Sequence, residues 1–215
     1  LDTLLLLRLQ AKRLISDDFE VEARSLYQFR TANYSEDSLP IAGAAHRLAD
    51  ALSQKVIPSV FTSNAAKLHI ADSIGQAKIS ECSDLYRRAI EIYRERAKHA
   101  SFVNSALVYA LNHFARLKFF CSEYLESEEL LLVAISTCEA SGYSAQTQLF
   151  SSLQLLASVY RSSGRATEAR ALDQRADKIV REVFASYRSH YSGVIFGGPH
   201  YFSDGDHFRH NDRRR

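Results

Sequence analysis

Apolar side chains recur at three- and four-residue steps along most of this 215-residue chain. In SLQLLASVY (152–160), Leu153, Leu156, Ala157 and Tyr160 share one face of a 3.6-residue helix; in LYRRAIEIY (85–93), Leu85, Ala89 and Ile92 do the same. Breakers are scarce: the three prolines are Pro40, Pro58 and Pro199, and four of the eight glycines follow residue 190. With Ala, Leu, Arg, Glu, Ser and Gln abundant, the pattern predicts an all-α chain. About nine helices are expected, near 3–16, 19–34, 41–56, 59–78, 81–99, 102–120, 124–140, 145–163 and 166–188. Pro40 stands at the start of the third, where a missing N–H leaves no helix bond unmade. Nine helices do not divide into pairs. Either 41–56 lacks a partner, or 59–78 is the divergent second member of its pair.

The apolar positions also repeat over a longer distance. ALNHFA (110–115) aligns with SLQLLA (152–157) at an offset of 42. At that offset Ser122 falls under Gly164, Ser127 under Ala169, Leu130 under Leu172 and Ala134 under Ala176. Small residues match small ones, and large apolar residues match large apolar ones. LYRRAIEIY matches LLLVAIS (130–136) at an offset of 45. Near the start, Ala11, Leu14, Asp18, Ala23 and Leu26 keep the internal steps of Ala157, Tyr160, Gly164, Ala169 and Leu172.

This order of residues resembles the tetratricopeptide repeat, and its longer period resembles the 42-residue variant of the kinesin-light-chain type. The resemblance is strongest over 106–178. It implies a right-handed solenoid of helical hairpins, each with a helix A and a helix B, over residues 1–187; residues 188–215, rich in glycine and aromatic residues and with the turn signal Gly197-Gly198-Pro199, read as a non-helical arm. One hairpin cannot bury its apolar face alone, so neighbours stack. Ala157 and Ala169 are expected where A and B cross closely, with Tyr160 filling the space beside the crossing. Gly164 takes the left-handed conformation that ends helix A. Helix B then starts near Arg165, with Glu168 in its first turn, where a carboxylate suits the helix dipole. Lys118 departs from the pattern by standing where an aromatic is expected. Phe119 and Phe120 after it are read as core, the alternative being that Phe120 lies open on the binding face.

Charge narrows the function. The net charge is +2, and the five Arg and three Asp from Arg188 onward account for all of it. A neutral body lacks the basic stripe of a nucleic-acid surface. No apolar run reaches the ~18 residues a membrane span needs. Cys82, Cys121 and Cys138 are odd in number and lack metal-ligand spacing, so they are expected to be small buried residues in a reducing compartment. Residue 1 is Leu and the chain contains no methionine; it is expected to be a processed mature protein or a piece of a longer one.

No catalytic constellation is present: there is no G-x-S-x-G, P-loop, H-E-x-x-H or Rossmann glycine pattern. The expectation is a non-enzymatic scaffold, without cofactor, that holds a protein partner as a subunit or assembly factor of a larger complex, in a mitochondrial or cytoplasmic setting. By the resemblance, A helices line the binding face. The position three before the crossing Ala maps to Arg8, His46, Asn112 and Gln154, and the position one after it to Lys12, Asp50, Arg116 and Ser158. Arg8, Lys12, Arg47 and Arg116 would bias this face positively, toward an acidic or helical segment or a free carboxylate. The full carboxylate-clamp set of co-chaperone relatives is absent. The alternative is a regulatory domain that binds a ligand or metal through the arm, with His200, Asp204, Asp206, His207 and His210 as ligands; the spacing matches no recognised metal motif.

Overall fold

The computed structural model describes residues 16–57 and 73–195 and contains seven α-helices there, with no strand among the described residues. They are α1 (Ser16–Asn33), α2 (Leu39–Val56), α3 (Ser73–Ala97), α4 (Asn104–Phe120), α5 (Tyr124–Ser141), α6 (Gln146–Ser162) and α7 (Ala166–Ile195). Short 3-10 turns, Ser101–Val103 and Gly142–Ala145, lead into α4 and α6.

Each helix packs on its neighbours in the chain, and the tightest pairs are α2 with α3, α4 with α5 and α6 with α7. These are three stacked hairpins. The helix α1, with Ala23 and Leu26 fully buried, packs on α2 in the place of a helix B, and the three hairpins are numbered second to fourth after the one expected around it. The expected helix near 3–16 lies outside the described residues.

The 42-residue repeat reappears as geometry. Ala115 and Ala157 are fully buried, and so are Ser127 and Ala169, their counterparts across each crossing. The Ser127 hydroxyl donates to the Ala115 carbonyl at 2.8 Å, so the crossing brings a side chain onto the facing backbone. The A-to-B turns are alike. Gly164 has φ +81° and Ser122 has φ 63°. After Gly164 the Arg165 N–H reaches the Tyr160 carbonyl at 2.8 Å; after Ser122 the Glu123 N–H reaches the Lys118 carbonyl at 2.9 Å. Both are Schellman closures around one left-handed residue.

The second hairpin corrects the sequence reading. Helix α3 runs unbroken through the gap expected between 78 and 81; with the 3–16 helix outside the described residues, seven helices are described where about nine were expected for the whole chain. A new helix is expected to start near residue 81. Instead, Ser83 lies inside the helix and its hydroxyl donates back to the Ile79 carbonyl at 2.8 Å, which removes its competition with the backbone. The 41–56 segment does have a partner: α2 lies along α3. Cys82 occupies the crossing. It is fully buried, its thiol faces the Ala49 carbonyl at 3.7 Å, and it precedes Ser127 by the 45-residue offset. Helix α7 also stays helical to Ile195, beyond the expected start of a non-helical arm at 188.

Backbone contacts between hairpins run through the A helices: α4 packs on α6, and α2 touches α4. The B helices are instead bridged by long side chains, Arg24 to Glu81, Arg87 to Glu126 and Arg175 to Glu139. The A face is therefore the tight side of the array and the B face the wide side.

Candidate functional site on the A-helix face

Two features mark the A face. The first is a groove of about 390 Å³ between α4 and α6, lined among others by Tyr109, Asn112, His113, Arg116, Gln154 and Ser158. Four of the positions mapped from the sequence, Asn112, Arg116, Gln154 and Ser158, meet here. Asn112 and Gln154 are equivalent positions of successive hairpins, so stacking brings them onto one surface. The Asn112 Oδ1 accepts from the Ser152 hydroxyl at 2.8 Å, fixing that side chain across the two helices. Arg116 is exposed, with its guanidinium 6.0 Å from the centre of the Phe120 ring. Arg116 lines the groove, whereas Arg47, partly buried on α2, lies outside its lining. Arg8 and Lys12 lie outside the described residues.

The second feature lies where α2 meets α4. The rings of His46 and His113 approach with Nε2 and Nδ1 3.4 Å apart. Asp50, one turn after His46, places Oδ1 2.7 Å from His113 Nδ1 and Oδ2 3.6 Å from His46 Nε2. The Tyr86 hydroxyl, from α3, donates to Asp50 Oδ1 at 2.6 Å. Tyr86 and Tyr93 stand edge-on to the His46 ring at 6.0 and 6.2 Å. Burial pushes the His46 imidazole below its ordinary value, against the pull of Asp50. Burial pushes Asp50 up, but the His113 hydrogen bond, the neighbouring imidazoles and the Tyr86 hydroxyl outweigh it and hold the carboxyl low. Burial and the Asp50 charge drive the Tyr86 phenol well above its usual range. The arrangement is a carboxylate and a largely buried imidazole facing a half-exposed one.

His46 and Asp50 were read as face residues from the repeat. His113 was missed, because it lies one position beyond Asn112 and only the juxtaposition of α2 with α4 turns it toward Asp50. Lys118 is nearly buried. Its ammonium binds Glu123 at 2.7 Å and Glu126 at 2.9 Å and lies 5.4 Å from the Phe114 ring centre. In the next hairpin the Tyr160 hydroxyl meets Glu128 at 2.8 Å, so both residues at this position tie helix A to acidic residues of α5. Phe119 and Phe120 are both partly buried against the core, as expected.

A cleft of about 950 Å³ lies on the B face between α3 and α5. Its walls carry Arg87 paired with Glu126 and with Asp84, which is the side-chain bridging of the wide side rather than a convergent site. The cysteines lie apart: Cys82 and Cys138 are buried and Cys121 is half-buried, all unpaired. Burial raises the Cys82 thiol to about 12 and the Cys138 thiol to about 11, which makes both inert. The expected arm ligands His200, Asp204, Asp206, His207 and His210 lie outside the described residues.

The fold and site together define the class: stacked helical hairpins of tetratricopeptide-like build, with a polar groove on the A-helix face. Solved structures of nearly identical TPR-like repeats of the kinesin-light-chain type from Podosopora anserina are similar to this chain. A single-substitution form has a TM-score of 0.45 at 16% identity, covering 86% of this chain and 94% of that one. The form without it has a TM-score of 0.44 at 18% identity, covering 85% and 94%. No protein-family model matches the chain, and no curated protein does. No described helix is long and apolar enough to cross a membrane.

Proposed function

We propose that this chain is a non-enzymatic scaffold that holds a protein segment along its A-helix face, as a subunit or assembly factor of a larger complex. The observation that carries the reading is the α4–α6 groove, where Asn112, Arg116 and Gln154 converge. The groove is open and polar, and stacking supplies it from equivalent positions. Its Arg116 guanidinium, exposed and in no ion pair with a described residue, favours a segment carrying carboxylates. The exposed Tyr109 beside it offers an aromatic surface for an apolar anchor.

The test is binding of a panel of labelled acidic, neutral and basic peptides, followed by fluorescence anisotropy. Acidic peptides bind preferentially, and Arg47→Glu combined with Arg116→Glu weakens them at least about tenfold, the scale of one lost charge-assisted contact. Equal binding of all three peptide classes, or indifference to the double substitution, contradicts the reading.

A further inference from the structure

We propose that His46, Asp50 and His113 form a binding site for a divalent transition-metal ion of the zinc class, bridging helices α2 and α4. One ring nitrogen of His46, one of His113 and one carboxylate oxygen of Asp50 all lie within 4.8 Å of one another. Two of the separations, 3.4 Å between the imidazole nitrogens and 3.6 Å from His46 to Oδ2, match the edge of a ligand tetrahedron. Ligands about 2.0–2.1 Å from zinc stand roughly 3.3–3.4 Å apart. The third separation, 2.7 Å between His113 and Oδ1, is that of a hydrogen bond. It lengthens when an ion replaces the proton between the two atoms.

The donor set of two imidazoles and one carboxylate suits ions such as zinc, and not the all-oxygen preference of magnesium or calcium. The surroundings are those of a supported site. Asp50 accepts from the Tyr86 hydroxyl, which itself lies 3.3 Å from Ser53. Hydrogen bonds of this kind orient a ligating carboxylate. His46 and Asp50 are one helical turn apart, so α2 presents both on one face, and α4 supplies the third ligand. His113 also lines the groove, which leaves a fourth coordination position open to solvent or to a side chain brought by a partner. The ion would lock the α2–α4 contact, where the second hairpin docks on the third. This inference does not rest on the scaffold reading.

The experiment is titration of the full chain with Zn²⁺ against a chromogenic chelator, and with Co²⁺ followed by its visible absorption. The expected result is one ion per chain, bound at micromolar concentration or tighter, with a tetrahedral cobalt spectrum. Because His113 is half-exposed, His113→Ala leaves a cooperative thermal transition and loses at least about a hundredfold in affinity. Tyr86→Phe, which keeps all three ligands, loses about tenfold. Replacing His200, His207 and His210 together by Ala leaves the affinity unchanged. No uptake by the native chain overturns the proposal. So does uptake that survives His113→Ala, or uptake that disappears only with the three arm histidines.

Discussion

The second hairpin and the fourth are built around the same crossing, yet only the fourth announces itself. In the α6/α7 hairpin, twelve residues separate Ala157 from Ala169, and one left-handed glycine makes the turn. In the α2/α3 hairpin, thirty-three residues separate Ala49 from Cys82. Helix α3 starts nine residues before its crossing residue, whereas α7 starts three before. The buried residues nonetheless coincide: Ala49, Cys82 and Ala89 lie in the core as Ala157, Ala169 and Ala176 do. The difference teaches that stacking is specified at the crossing and tolerates added chain at the turn. Lengthening a connection costs only slowly increasing entropy, about 0.6 kcal/mol per doubling, while a side chain too large at the crossing pushes two backbones apart.

Several substitutions break or sharpen this comparison. The largest effect belongs to the crossings of the regular hairpins. Ala115→Leu and Ala157→Leu should each cost about 3 kcal/mol, the upper part of the range for overpacking, measured by urea unfolding. Next comes Lys118, the departure from the regular pattern. Lys118→Ala removes the ammonium from Glu123 and Glu126 and its stem from Phe114, and should cost about 1.5 kcal/mol. Lys118→Tyr copies Tyr160 and should recover part of that loss.

The turns come third. Ser122 holds φ 63° without glycine's freedom, so Ser122→Gly should stabilise by about 0.5–1 kcal/mol, and Gly164→Ala should destabilise by a similar amount. The smallest effect is with pH. Burial raises Glu126, but the Lys118 bond outweighs it and holds the carboxyl below its ordinary 4.5. A depressed folded value means the contribution is present above 4.5 and is lost as pH falls through the folded value. Stability measured across that acid range should flatten slightly in Lys118→Met.

The regular part of the fold was legible because its crossing residues recur at one offset. Ala115 and Ala157, Ser127 and Ala169, and Ser122 and Gly164 could be paired without coordinates. The second hairpin was hidden for two physical reasons. Its crossing residue is a cysteine, which reads as a generic buried residue, and its helix α3 runs on through the gap expected between 78 and 81. The groove was legible to the same extent as the repeat: Asn112, Arg116 and Gln154 follow from equivalent positions. The His46–Asp50–His113 cluster was legible only by half. The step from His46 to Asp50 is a property of one helix, but His113 joins them through the docking of α2 on α4, sixty-seven residues along the chain from His46.

The central claim is that Cys82 does in the second hairpin what Ser127 and Ala169 do in the others. Urea unfolding of Cys82→Ser beside Cys82→Leu tests it most directly. Serine keeps the small volume and can bond the Ala49 carbonyl as Ser127 bonds Ala115, so stability should stay within about 1 kcal/mol of the native chain, while leucine should cost about 1–3 kcal/mol or more. Equal tolerance of leucine and serine at this position would contradict the account.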